Sequence, residues 1–225
     1  MTPVRSGGRG PDGAARARIL VEASRLFAAR GFHGTSTRDI ASAVGVRQPT
    51  LYSHFPSKHA ILAALLDADL RPARARVRAA LAIAGRPAAR LHALLVADVS
   101  AILSLPYDVR GFYNDDVLLM PELAEQARLR RELHELTAQL VAEGVRSGDL
   151  IDLDPDFVRG AITGLMLQAV SDCGATPAVD APAAASMVAD FVLRAVLADP
   201  TSMPEVAALA ADLTAQISSG YSSPS

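Results

Sequence analysis

Tryptophan is absent from this chain of 225 residues, cysteine occurs once, at Cys173, and aromatic residues make up 4% of the total. A single cysteine cannot close an internal disulfide, so nothing in the composition points to an oxidising compartment. No apolar run reaches the ~18 residues needed to span a bilayer, and none follows a basic start in the manner of a secretory leader. The expectation is a cytoplasmic protein with no membrane partner. The signatures of common enzymes are also missing: no H-E-x-x-H, no Gly-rich phosphate loop and no G-x-S-x-G. The histidines, at positions 33, 54, 59, 92 and 134, show no paired metal-ligand spacing, and Pro56 separates His54 from His59. The adjacent acids Asp115 and Asp116 would point in different directions on a helix or a strand. We therefore expect no catalytic residue, no metal and no cofactor.

Hydrophobic residues account for 50% of the chain, mostly as Ala and Leu. Ala-rich sequence with few β-branched runs argues for closely packed helices, an all-α fold. The formal net charge is −2, but it is unevenly spread. Residues 1–59 carry nine Lys or Arg and three Asp or Glu, a balance of +6, and residues 60–225 carry thirteen and twenty-one, a balance of −8. A basic head on an acidic body fits a protein that meets phosphates at one end.

Residues 36–58 organise the rest: S-T-R-D-I-A-S-A-V-G-V-R-Q-P-T-L-Y-S-H-F-P-S-K. Ser36 with Asp39 forms a capping box, so a helix is expected from Thr37. Ile40, Ala41 and Val44 give it an apolar stripe, Gly45 ends it, and Val46 is expected to be buried in the turn. Leu51, Tyr52 and Phe55 repeat the stripe on the next segment. This is a helix-turn-helix outline, and the second helix of such a pair lies in a DNA major groove. Its outward positions carry Gln48, Pro49, Thr50, Ser53 and His54. Gln bonds adenine through two contacts, and Thr or Pro touches a thymine methyl. Tyr52, Ser53 and His54 offer donors at the height of the phosphates, as does Lys58, and Arg38 can reach a guanine edge.

The run from Thr37 to Lys58 resembles the N-terminal domain of the TetR family, the tetracycline-repressor-type transcription regulators. The resemblance covers residues 14–66. It implies base contacts at Arg38, Gln48, Pro49 and Thr50, and phosphate contacts at Thr37, Tyr52, His54 and Lys58. Ser53 departs from the large aromatic residue of the tetracycline-repressor type, and Arg47 departs from the small or acidic residue usual before this helix. The implied architecture is an N-terminal three-helix DNA-binding domain followed by a helical ligand-binding and dimerisation domain.

Along the chain, residues 1–13 are rich in Gly and Pro and are expected to form a disordered arm, with Arg5 and Arg9 either solvated or following a phosphate backbone. The helix-turn-helix domain spans 14–59, a helical body 60–200, and a final helix and tail 201–225. Ile19, Leu20, Ala23, Leu26 and Phe27 stripe the first helix, which Gly31 ends. Pro72 is expected to kink or restart the connector helix. Arg71, Arg74, Arg76 and Arg78 read as a solvated face or, alternatively, as a second phosphate contact. Residues 107–121 mix aromatics, acids and amides, which suits either a pocket wall in the body or a short surface helix with a loop. Candidate pocket residues are His92, Phe112, Tyr113, Asn114, Met120, Met166, Gln168 and Cys173, with Arg110 placed either on an acidic ligand or in a salt bridge. The helices at 155–173 and 183–198 are too apolar for a monomer's surface. Phe157, Ala161, Gly164, Leu165, Val188, Phe191 and Val192 are expected to pair with their copies in a four-helix bundle, as the resemblance also implies.

These readings converge on a homodimeric, sequence-specific regulator of transcription that binds a palindromic operator in double-stranded DNA. The resemblance implies repression relieved by a small-molecule effector of unknown identity. The alternative is a DNA-binding regulator that is constitutive or answers to a protein.

Overall fold

The computed structural model describes residues 11–111, 115–175 and 180–219. Its helices are α1 (Pro11–Arg30), α2 (Thr37–Val44), α3 (Gln48–His54), α4 (Lys58–Ala82), α5 (Pro87–Leu103), α6 (Asp115–Leu118), α7 (Ala124–Arg146), α8 (Pro155–Ala175), α9 (Ala181–Val196) and α10 (Met203–Ser219). Single 3-10 turns lie at Val109–Gly111, Pro121–Leu123 and Pro200–Ser202. The described residues contain one isolated β-bridge, Leu150 with Leu197, and no helix long and apolar enough to cross a membrane. The chain divides into two units: Met1–Leu66 with Pro106–Val117, and Asp67–Leu105 with Leu118–Ser225.

In the first unit, α1 begins at Pro11, where the sequence reading begins it at 14, because Pro11 can occupy the first helical turn without losing a bond. Ile19, Leu20, Ala23 and Phe27 of α1 are buried against Ile40, Ala41 and Val44 of α2, Leu51 and Phe55 of α3, and Ile61, Leu62 and Leu65 of α4. The segment Pro106–Val117 also belongs to this unit, and it holds the Val109–Gly111 turn and most of the short helix α6, as in the alternative of a short helix with a loop. Asp108 donates its backbone N–H to Ser24 Oγ at 3.1 Å. A Cβ at Gly111 would lie 2.5 Å from the Phe27 carbonyl carbon, so only glycine permits this turn to rest on the α1 backbone.

The second unit is built around α5. It is buried on every side, including Arg90 and His92. It packs against α9 and α10, while α7 packs against α8. The N-terminus of α5 is capped from a distance: Asp149 accepts the Ala88 N–H at 2.8 Å and pairs with Arg86 at 2.6 Å.

Two expectations for α4 are corrected. Pro72 does not restart the helix, which continues past it with buried Leu70 before and Ala73 and Val77 after. The arginine run is a solvated face only in part: Arg71 and Arg78 are exposed, Arg74 is half-buried and Arg76 is buried. Arg74 and Arg78 both reach Glu132, Arg71 reaches Asp67, and Arg76 is buried against Asp98 of α5.

Asp69 shares that interior with Asp98 and Arg76. Burial, reinforced by the Asp98 charge and only partly offset by Arg76, pushes the Asp69 carboxyl up to about 7. An unfolded aspartate loses its proton near 3.8, so between those values folding takes up a proton and the Asp69 contribution to stability falls as pH rises. In denaturant titrations, the stability of Asp69→Asn relative to the parent should climb from about pH 4 to about pH 7 and then level. A difference independent of pH would show that Asp69 titrates as an ordinary carboxyl.

Candidate nucleic-acid interface

The α2–α3 pair is set by backbone chemistry. Ser36 Oγ accepts the Asp39 N–H at 3.1 Å, and Asp39 returns the contact to the Ser36 N–H at 2.9 Å. These bonds hold the Asp39 carboxyl below its usual range. At the other end Gly45 is left-handed, with φ 76°. Val46 N–H reaches back to the Ala41 carbonyl at 2.9 Å, and Gly45 N–H to Ser42 at 3.2 Å, the paired bonds of a Schellman turn. Val46 itself is half-buried rather than sealed in the turn. A guanidinium from α1 completes the end: Arg18 donates to the Val44 carbonyl at 2.7 Å.

Helix α3 turns Leu51 and Phe55 inward, with Arg16 stacked 4.7 Å over the Phe55 ring. Gln48, Pro49, Thr50 and Ser53 are exposed, as is Arg38 on α2. Tyr52 leaves the apolar stripe assigned to it: it is 47% exposed, and its hydroxyl lies 3.1 Å from Thr37 Oγ1. The two hydroxyls form one polar couple between α2 and α3. Arg47, before α3, makes no capping bond through its side chain.

Two residues expected at phosphates are engaged within the protein. His54 has only 10% of its side chain exposed, and its Nδ1 lies 3.3 Å from the Asp12 carboxylate. A histidine at the end of α3 is drawn to the acid in the first turn of α1. Lys58, the only lysine in the chain, donates to the Phe32 carbonyl at 2.6 Å and the Thr35 carbonyl at 2.8 Å. Its ammonium also sits 4.1 Å over the Phe32 ring. Partial burial lowers the amine's pKa. Lys58 thus clasps the α1–α2 loop, which also receives Thr35 Oγ1 on the Gly31 carbonyl at 2.9 Å. Arg18, Arg16 and Thr35 were missed by sequence reasoning, because each acts on a partner chosen by the fold.

The candidate pocket residues are not brought together. Phe112, Tyr113, Asn114 and the Cys173 side chain lie outside the described residues. Arg110 belongs to the first unit and forks onto Asp108, a salt bridge that holds the Asp108 carboxyl below its usual range. His92 is buried in α5, bonded through Nε2 to Asp190 of α9 at 2.8 Å, and its Nδ1 is buried without a partner among the described residues. Met120 and Met166 are half-buried, and Gln168 is exposed and bonded to Asp172 at 2.8 Å.

The proposed pairing residues divide into two groups. Phe157 is 68% exposed, Phe191 61%, and Met187, one turn before Phe191, 68%. Ala161 and Gly164 are exposed between them, and Leu165 is half-buried. Val188 and Val192 are buried within their own subunit, which leaves the exposed positions as the ones available for pairing. On α9 both faces are apolar, which is why the sequence could not separate them.

Residues 19–65 match the family model described as bacterial regulatory proteins, tetR family, and residues 84–196 match a tetracyclin repressor-like C-terminal domain. The transcriptional repressor KstR2 of Mycobacterium tuberculosis is 31% identical over 150 residues, covering 64% of this chain and 73% of the relative. The transcriptional activator FasR of Mycolicibacterium smegmatis is 31% identical over 128 residues, covering 57% of this chain and 58% of the relative. Among solved structures, AmtR of Mycobacterium smegmatis superposes with a TM-score of 0.75 at 29% identity, covering 94% of this chain and 97% of that one.

Lys58→Met should cost about 1–3 kcal/mol, since it strips two loop carbonyls of a charged donor. Amide exchange in α1 and α2 of the full chain reads that loss. Unchanged protection would return Lys58 to a role at the DNA alone.

Proposed function

The chain belongs to the tetR family of bacterial regulatory proteins, a family of DNA-binding regulators and not of enzymes, and from that premise we propose how this member works. A homodimer places one α3 in each of two successive major grooves of a palindromic operator, with half-sites about one helical turn apart. The observation that carries this reading is the exposed row Gln48, Pro49 and Thr50, presented on a helix whose opposite face is locked by Leu51 and Phe55. Gln48, Pro49, Thr50 and Arg38 read bases. Thr37, Tyr52 and Ser53 bond phosphates, and Arg47 stands next to them. Lys58 and His54 contribute mainly by fixing the scaffold, with any unspent donor turned to the backbone. Because phosphate contacts release counterions, affinity falls steeply as salt rises.

The dimer forms through the exposed face of α8 and α9. Phe157, Met187 and Phe191 form an apolar patch of a kind that monomers rarely leave in water. Ala161 and Gly164 keep the surface between them low enough for a second pair of helices. A small-molecule effector bound in the body shifts the spacing of the two heads and releases the operator. A complete switch requires the effector to prefer one state by roughly 5.5 kcal/mol. His92, with its open Nδ1, and Met166 are the body residues best suited to that ligand. Repression is the sense favoured by the relatives named as repressors, although FasR is named as an activator.

Selection of duplex DNA from a random pool by the purified protein tests the whole reading, and an enriched palindrome is the expected result. Within that palindrome, Gln48→Ala should relax preference at one base pair of each half-site by about 1–3 kcal/mol. Unaltered preference would remove α3 from the role of reader. Phe157→Asp combined with Phe191→Asp should yield a folded monomer by sedimentation, with operator affinity lost. A dimer that survives both changes would move the interface elsewhere.

A further inference from the structure

Beside the C-terminal end of α1 lies a cavity of about 450 Å³ that the DNA-binding reading does not use. Arg30, His33 and Arg110 supply its polar lining, and Phe27, Phe32 and Val117 part of its apolar wall. None of the described residues lining it is acidic. Its walls are tightly built. A Cβ at Gly34 would lie 2.3 Å from the Arg30 carbonyl oxygen, and Gly111 rests on the α1 backbone as described above. Two distant parts of the chain, the end of α1 with its loop and the Val109–Gly111 turn, thus meet around one hollow.

The donors there are only partly used. Asp108 offsets the charge of Arg110 and takes bonds from its Nε and Nη2, which leaves the rest of a five-donor guanidinium. Asp39 lies within electrostatic range of Arg30 but makes no salt bridge with it, since its oxygens serve Ser36. The Arg30 and His33 side chains make no hydrogen bond or ion pair with described residues, and the His33 ring stands edge-on to Phe32. Two guanidinium groups and an imidazole lining one cavity, with no carboxylate among its described lining residues, suit a planar or tetrahedral oxyanion. We infer that this cavity is an oxyanion site, taking a phosphate or carboxylate group between Arg30, His33 and Arg110. An occupant ties the α1–α2 loop to the Pro106–Val117 segment and stiffens the unit that carries α3.

The test uses the full-length protein and inorganic phosphate, titrated at constant ionic strength against chloride, with the His33 ring resonances as readout. A saturable shift is expected, with sulfate competing for it. Arg30→Gln should weaken it about tenfold, the loss of one charge-assisted contact of about 1.4 kcal/mol. Arg25→Gln, the same charge change on an exposed arginine of α1, should leave it unaltered. A shift that never saturates, or that survives Arg30→Gln, overturns the site and leaves an adventitious ion only. Because sulfate competition is measured on the parent protein, the test stands even where the variant is poorly folded. Binding of a generic duplex at low salt then separates the sources. If Arg30→Gln loses phosphate but keeps duplex affinity, the natural occupant is a small organic anion. If both fall together, the occupant is a backbone phosphate of the DNA.

Discussion

Cationic side chains bonded to main-chain carbonyls hold the DNA-binding unit in shape. Three short helices and the start of a fourth enclose a small core, and their ends leave carbonyls without intrahelical partners. Arg18 closes the end of α2, and Lys58 closes the loop between α1 and α2. With both ends of α2 fixed, and Gly45 setting the turn, the direction of α3 follows. The surface that meets DNA thus depends on charges that face inward. The arginines of the head are not a pool of equivalent phosphate ligands: Arg16 and Arg18 support the fold, while Arg38 and Arg47 stand in solvent.

The larger unit uses charge differently. Its central helix α5 is buried all round, yet it carries Arg90 and His92 among alanines and leucines. Arg90 meets Glu143 at 2.9 Å, and His92 meets Asp190 at 2.8 Å. Pairs of this kind, with the base buried and the acid partly exposed, add little net stability, because desolvation offsets much of their attraction, but mispairing them is costly. They fix which face of α5 meets α7 and which meets α9, a choice that a stripe of Ala and Leu leaves open. Asp69 and Asp98 both lie within electrostatic range of Arg76, and burial pushes both carboxyls up.

Much of this was legible from local chemistry. The capping box at Ser36 and Asp39, the stop at Gly45, the buried Leu51 and Phe55 and the exposed Gln48 all follow from rules spanning a few residues. What escaped was decided by partners far away in the chain. Nothing near Lys58 announces that its amine turns to Phe32 and Thr35, and nothing near Arg74 announces Glu132. The division of the segment 107–121 between the two units escaped for the same reason, since the need for Gly111 appears only when the α1 backbone lies against it. On α9, Val188 is buried while Phe191, nearly one turn on, is exposed, and apolar periodicity carries no label for which of them turns inward.

Apart from five histidines, every basic side chain of this protein but one is a guanidinium. The exception, Lys58, stands where a compact ammonium must serve two carbonyls and an aromatic face together, a geometry that a planar fork does not match. Amine-directed acylation therefore has a single side-chain address in the chain, and that address is a fold contact. An acyl group on Lys58 would abolish the charge and leave the Phe32 and Thr35 carbonyls without their donor. Lysine tagging for surface attachment or dye labelling, harmless on most proteins, would here act on the joint that orients the reading head.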